Sequence, residues 1–379
     1  MMNIVLLIVL FLVFGLLNFY VFIRGVQALP AGFKIPYAIL FWAVVFSFLG
    51  GRWLENSYPS LAADVLTWIG SFWIAALVYL LLAVLLLDIL RLANRFLPFF
   101  PDIITGNYAR AKIITAGVIL GAVGLTLLGG YINARNPRIV HLDIAVDKKA
   151  GSLQNLNIVM VSDIHLGTII GRSRIESLVN DINALNPDIV LIPGDLVDGS
   201  VKAVLRNDSG EELKNIRSRY GVFASMGNHE YIGGSEEICE YLERNNIMML
   251  RDQSVKIDKA FFLVGREDLS SRRAGRPRKA LSNLMRNVDP KFPVILLDHQ
   301  PSDLQEAADA GIDLQLSGHT HYGQIWPINY IVEAIYELAW GYKRAGGTQY
   351  YVSNGVGTWG PPVRVGNRPE IVQIQLTFK

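Results

Sequence analysis

Four long apolar runs without a charged side chain occupy the first third of the chain, and they limit what that third can become more than any other feature. Residues 1–23, 35–51, 65–87 and 113–134 contain no Asp, Glu, Lys or Arg. A helix crossing the hydrocarbon core of a bilayer needs about 20 apolar residues, with a working range of about 17–25. Three runs satisfy that comfortably and the second sits at the lower limit. Core helices of a soluble domain do not come as four such runs with so few charges between them. A cleaved leader is the competing reading of the first run, but no basic stretch precedes it and three further runs follow, so it reads as an anchor. Across residues 1–134 the only acids are Glu55, Asp64, Asp88 and Asp102. The hydrophobic content of 51% and the mean hydropathy of +0.31 therefore average two unlike parts. An all-α membrane domain of four transmembrane helices is expected over residues 1–134.

The basic residues predict an orientation, because cytoplasmic loops carry the excess of Lys and Arg. Loops 24–34 and 88–112 hold Arg24, Lys34, Arg91, Arg95, Arg110 and Lys112. The opposite side holds Arg52 and then Arg135, Arg138, Lys148 and Lys149. The narrow excess on the first side places the N-terminus and the remainder of the chain outside the cytoplasm. Tyr20, Trp53, Tyr58 and Tyr131 lie near span ends, where aromatic belts form.

From residue 135 the composition is that of a globular domain. Residues 135–150 read as a linker and first strand, and 151–379 as the main domain. Apolar strands are predicted at 157–162, 188–192, 221–225, 261–264, 294–297, 314–316, 350–352 and 371–376. Amphipathic helices are predicted at 174–185, 235–245, 278–287 and 301–310. Such alternation belongs to an α/β layered fold. A single cysteine, Cys239, excludes an intrachain disulfide framework. The net charge of +2 without a long basic stripe argues against tracking a nucleic-acid backbone. No feature sets an oligomeric state.

Five polar motifs share one placement, directly after an apolar strand. They are Asp163-Ile164-His165, Gly194-Asp195, Gly227-Asn228-His229-Glu230, Asp298-His299 and Gly318-His319-Thr320-His321. Ligands of α/β sheets gather beyond the carboxyl ends of the strands, so residues far apart in sequence can converge there. The chain has six histidines, and all but His141 fall in these motifs. His141, alone on a strand, reads as structural. Imidazole and carboxylate donors without thiolate suit Zn, Fe or Mn, and argue against a closed structural zinc site.

This ordered set resembles the calcineurin-like metallophosphoesterase superfamily over roughly residues 150–379, and within it the bacterial group with N-terminal transmembrane segments. Leu166-Gly167-Thr168 with Gly171-Arg172, and the tail from Gly355-Val356-Gly357 to Pro369-Glu370-Ile371, support the narrower match. The resemblance implies a four-layer α/β/β/α sandwich and two divalent metal ions. Asp163, His165 and His321 would bind the first, Asn228, His299 and His319 the second, with Asp195 bridging both. Two ions so placed lower the pKa of a shared water and clamp the attacking and leaving oxygens of a displacement at phosphorus. His229 resembles the superfamily's catalytic histidine, and Glu230 is expected to orient it. Arg172 is expected to reach substrate phosphate oxygens. Tyr322 stands where the superfamily pattern has glycine and is expected to line the mouth.

The implied function is hydrolysis of a phosphodiester or pyrophosphate bond, and a membrane anchor favours a lipid or cell-envelope substrate at a bacterial inner membrane. Similar enzymes cleave UDP-diacylglucosamine in lipid A assembly. That precursor is cytoplasmic, which conflicts with the orientation read from the charges. The rivals are a non-catalytic membrane receptor or scaffold that keeps the metal fold, and a phosphodiesterase acting on soluble nucleotides. Two further stretches have open readings. Arg272, Arg273, Arg276, Arg278, Lys279 and Arg286 form either a solvated loop entering a helix or a basic lid for anionic head groups. Residues 325–342, rich in Trp and Tyr, form either an amphipathic helix packed on its own domain or a segment lying at a lipid interface.

Overall fold

The computed structural model describes residues 4–379. The chain divides into two units, one comprising Met1–Tyr131 with Gly360–Val363, the other Ile132–Trp359 with Arg364–Lys379.

The first unit is built from α1 (Ile4–Ala28), α2 (Lys34–Ser57), α3 (Leu61–Phe96) and most of α4 (Tyr108–Ala134). All four helices are long and apolar enough to cross a membrane. Each runs past the uncharged stretch that announced it, because the backbone ladder continues through the flanking charged residues. α3 begins at Ser60, whose hydroxyl accepts the N–H of Ala63 at 3.3 Å, a side-chain N-cap. Small residues let α2 and α3 approach closely. A Cβ added to Gly70 would lie 2.2 Å from the Phe48 nitrogen, and one on Gly51 2.5 Å from that of Thr67. Some polar groups on these helices pair with one another, which lowers the cost of placing them among apolar surroundings. Trp73 donates to the Asn18 side chain at 2.9 Å, and Tyr20 and Arg24 both donate to Asp88, at 2.6 and 2.5 Å.

The second unit holds twelve strands: β1 (Arg138–Val146), β2 (Asn155–Met160), β3 (Ile189–Pro193), β4 (Val222–Ser225), β5 (Ile247–Leu250), β6 (Gln253–Ile257), β7 (Phe261–Gly265), β8 (Val294–Leu297), β9 (Leu314–Ser317), β10 (Gly341–Ala345), β11 (Thr348–Val352) and β12 (Glu370–Phe378). They form two six-stranded sheets, ordered β1-β12-β2-β3-β4-β5 and β10-β11-β9-β8-β7-β6. β2 to β5 are mutually parallel, as are β11, β9, β8 and β7. β3, β4, β7, β8 and β9 are buried at every position, the mark of strands covered on both faces.

The core lies between the sheets, where Ile158, Met160, Leu191 and Phe223 of one meet Leu263, Ile295, Leu297 and Leu316 of the other. The outer face of the second sheet packs Val264, Leu296 and Tyr350 against Leu281, Leu284, Leu304 and Ala307. Helix α5 (Arg172–Ala184) buries Ile175, Leu178, Val179 and Ile182, one face at helical spacing. The architecture is the four-layer α/β/β/α sandwich implied by the resemblance.

Some local expectations differ. Helix α4 continues to Ala134 and β1 starts at Arg138, so the linker shortens to residues 135–137. The helix expected at 278–287 is reduced to Leu281–Leu284 and a 3-10 turn. Arg278 lies outside it, holding Asp298 with two hydrogen bonds of 2.9 and 2.8 Å. The stretch 325–342 is no continuous helix either: one short helix, Asn329–Ile335, precedes β10.

Glu370, fully buried on β12, ties the two sheets together. It accepts from Arg138 of β1 at 3.1 Å, Tyr351 of β11 at 3.0 Å, the Trp340 indole at 3.0 Å and the Asn354 N–H at 3.2 Å. Removing one side of such a buried network leaves the others without their acceptor. Glu370→Ala should cost about 3 kcal/mol of unfolding free energy, read from chemical denaturation of the second unit, whereas Glu370→Gln should retain about half of that.

Candidate metal centre

The carboxyl ends of five strands supply the site: β2 leads into Asp163 and His165, β3 into Asp195, β4 into Asn228 and His229, β8 into His299, and β9 into His319 and His321. Three of these strands belong to one sheet and two to the other, so the site sits where both sheets end. Glycine at two joints is required by close approach. A Cβ on Gly227 would lie 2.1 Å from Asp195 Oδ1, and one on Gly318 1.9 Å from the Ser162 hydroxyl and 2.3 Å from Asp163 Oδ2. The turns that follow are strained. Asp163, His165, Asp195, His319 and His321 all have φ between 46° and 72°, a region L-residues rarely occupy.

Three overlapping donor groups result. Asp163, His165 and His321 form the first, Asp195, His299 and His319 the second, and His165, Asp195 and His229 a third that joins the other two. In the first, His165 Nε2 lies 2.9 Å from His321 Nε2, which is 3.3 Å from Asp163 Oδ1. In the second, His299 Nε2 lies 3.1 Å from Asp195 Oδ2 and 3.3 Å from Asn228 Oδ1. Asp195 stands between them, with Oδ2 3.9 Å from His165 Nε2. All seven residues proposed from sequence thus come together.

The donor chemistry fits divalent cations. Lone-pair nitrogens and carboxylate oxygens converge in a dry interior, where without a cation they would repel or remain unsatisfied. His165 Nδ1 is buried without a hydrogen-bond partner. Burial and the neighbouring His229 push His165 down to about 3, and burial with His299 pushes His319 down to about 4, which keeps both imidazoles in the neutral, ligating form. Burial works against ionisation of Asp163 and Asp195. The surrounding histidines outweigh it, His321 chiefly for Asp163 and His299 for Asp195, and hold both carboxyls below their usual range.

His229 belongs to the joining group, its ring 4.6 Å from that of His165. Its Nδ1 meets Asp198 Oδ1 at 3.0 Å. Burial lowers its proton affinity, but the Asp198 hydrogen bond and Asp195 more than compensate and raise it to about 9. Glu230 is not the residue that orients it. Its fully buried carboxylate accepts the N–H groups of Gly227 at 2.7 Å, Leu196 at 2.8 Å, Val197 at 3.1 Å and Asp195 at 3.2 Å. Glu230 therefore shapes the Asp195 loop and caps helix α6 (Asn228–Gly233), while Asp198, missed in the sequence, partners the histidine. Its signal was the Gly-Asp-x-x-Asp spacing after β3.

The two other expected substrate residues fare differently. Arg172 turns its guanidinium onto Glu212, at 2.9 and 2.6 Å, so the expected phosphate contact is replaced by a surface ion pair. Tyr322 does flank the site, directly after His321, with φ 46° and its hydroxyl bonded to Glu333. Glycine would adopt that backbone freely. One supporting residue escaped the sequence reading. Fully buried Arg364 donates to the carbonyls of His321 at 3.1 Å and Gly357 at 2.6 Å, and to the Asn367 side chain at 3.1 Å. Asp298 is clamped by Arg278 and, at 3.2 Å, by Arg266, which fixes the turn carrying His299. Arg278 is thus structural, and Arg276 pairs with Glu236 at 2.7 Å. Trp359 lies with its ring 6.4 Å from His229, and Tyr336 6.1 Å from His319.

Comparison with known proteins agrees with this geometry. The sequence profile for calcineurin-like phosphoesterases matches residues 156–323. An uncharacterised metallophosphoesterase of Helicobacter pylori is 33% identical over 71% of this chain and 71% of its own length. A transmembrane protein with a metallophosphoesterase domain from Danio rerio is 34% identical over 70% of this chain and 62% of its own. An uncharacterised metallophosphoesterase of Campylobacter jejuni is 29% identical over 97% of both chains.

The two acidic neighbours of the site separate by experiment. Glu230→Ala should lower metal content by at least about half, measured by plasma mass spectrometry of the purified full chain, because four buried N–H groups lose their acceptor. Asp198→Ala should leave metal content unchanged.

Proposed function

Because the chain belongs to the calcineurin-like phosphoesterase family, we propose that it is a membrane-anchored hydrolase using two divalent ions to cleave a phosphodiester or pyrophosphate bond of a lipid or cell-envelope substrate. One observation carries the chemistry: the Asp195 carboxylate joins overlapping donor groups of histidines and carboxylates, with the His229–Asp198 pair at their side. Manganese, iron or zinc would suit these donors. When bound, such ions supply Lewis acidity, activating water and neutralising charge on phosphoryl oxygens. The remaining work falls to the chain. Asp163, His165 and His321 would hold one ion, Asn228, His299 and His319 the other, and Asp195 both. The amide of Asn228 adds no negative charge, which leaves the second position more electrophilic. Asp198 holds a proton on His229 and aims the ring, so His229 is placed to donate that proton to the departing oxygen.

The four apolar helices support a membrane anchor, and the distribution of basic residues supports a catalytic unit outside the cytoplasm. A substrate residing in the envelope follows from both. Nothing in the site favours a non-catalytic scaffold, since every donor and His229 are intact.

In detergent-solubilised protein loaded with Mn, Asp195→Asn and Asn228→Ala should abolish cleavage of bis-p-nitrophenyl phosphate. His229→Ala should lower it about 10²–10⁴-fold while metal content stays near wild type. Wild-type protein that retains metal yet cleaves neither this ester nor any envelope lipid would overturn the enzymatic reading. Asp198→Asn removes the charge that raises the proton affinity of His229. The alkaline limb of its pH–rate profile should therefore move to lower pH.

A further inference from the structure

The segment after the last metal ligands carries an apolar surface that its own unit leaves open. Trp326 is 47% exposed, Tyr330 61%, Ile331 60% and Ile335 67%. Helix α9 (Asn329–Ile335) places Tyr330 over Ala334 and Ile331 over Ile335, one turn apart on one face. Glu333, the one acid of the helix, bonds to Tyr322. Exposed Arg344 follows on β10.

What covers this face follows from its neighbours. Asn133, in the last turn of α4, donates to the carbonyls of Arg364 at 2.9 Å and Asn367 at 2.6 Å. Within that same loop, Val365 accepts the N–H of Trp326 at 2.8 Å. A Cβ on Gly366 would lie 2.9 Å from that of Trp326. Trp326 is therefore joined, through one loop, to the last turn of a helix long and apolar enough to cross a membrane. At its other end the segment reaches the metal centre through Tyr336, packed on His319, and through Tyr322.

We propose that Trp326 and α9 form an interfacial element that inserts into the lipid surface and leads a lipid phosphoester to the metal centre. This rests on the membrane anchor proposed above. Aromatic and aliphatic side chains on one face of a short helix, with a base beside them, are what a lipid interface accommodates. A face destined for a protein partner has no such reason to adjoin the end of a membrane-spanning helix.

The full chain is reconstituted in phosphatidylcholine–phosphatidylglycerol vesicles, on a Cys239→Ala background that removes the one native thiol. Ile331→Cys, Ile335→Cys and, as a control on exposed helix Ser235–Arg244, Glu237→Cys are each labelled with an environment-sensitive fluorophore. Lipid spin-labelled near the head group should quench positions 331 and 335 about twofold or more and leave 237 unaffected. Quenching at 331 and 335 no greater than at 237 overturns the proposal, whether the labels stay wet or are blue-shifted by a protein or second copy. Failure of the anchor reading is separate, because the chain would then be stripped from vesicles by carbonate. The double variant Ile331→Glu/Ile335→Glu should cut turnover of a vesicle-borne phosphoester at least several-fold while sparing bis-p-nitrophenyl phosphate. Equal loss on both substrates would overturn the role in lipid delivery.

Discussion

The crowding of imidazole and carboxylate groups around the buried Asp195 is the condition on which the catalytic unit is organised. Burying such groups is costly unless each is compensated. Here the first compensation comes from the chain. Asp163 accepts the N–H of His319 at 2.9 Å, Asp195 accepts that of His229 at 2.9 Å, and His299 Nδ1 meets the Pro193 carbonyl at 2.8 Å. These bonds fix Asp163, Asp195 and His299, while His165 Nε2 and His321 Nε2 face each other at 2.9 Å, two nitrogens that a cation would take as ligands. The apolar strands behind the site then act as a rigid mount.

That mount holds a backbone that would not persist alone. Five ligands occupy left-handed conformations, each costing on the order of 1 kcal/mol or more. The strain is distributed over fixed neighbours. His165 donates its N–H to Asp195 at 3.1 Å, and Gly357 donates to Asp163 at 2.9 Å. Arg364 grips the His321 turn from behind. Tyr322 extends the same strained run by one residue, so the chain departs from its family pattern at a place where the departure carries an energetic penalty.

Much of this was legible in the sequence, for identifiable reasons. Four of the strands that carry ligands, β3, β4, β8 and β9, are buried throughout, so they read as mainly apolar runs, and each ends at a polar motif. The four long apolar helices were equally plain, since length and lack of charge define them. Pairings made only in three dimensions were not legible. Glu230 seemed the natural partner of His229 because it is adjacent in sequence, yet adjacent residues of a helix point in different directions. The actual partner, Asp198, comes from the loop after another strand. Arg364 gave no local signal, being one arginine in an apolar, Pro- and Gly-rich tail. Strands β5, β6 and β10 were missed because β6 and β10 are short and half-exposed at sheet edges, and β5 continues directly from a helix. Within the basic cluster at 272–286, the pairings of Arg278 with Asp298 and of Arg276 with Glu236 became visible only once the acids were placed.

The position of β12 has a consequence for how the protein is made. It lies between β1 and β2, and its Glu370 meets Arg138 across 232 residues of chain. Until that strand emerges during synthesis, β1 and β2 each present an open edge, and the sheet bearing Asp163 and Asp195 cannot close. Pairing over such a sequence separation is slow. The catalytic half therefore cannot complete the sheet that carries Asp163 and Asp195 until β12, which follows every residue of the metal centre in the chain, is in place.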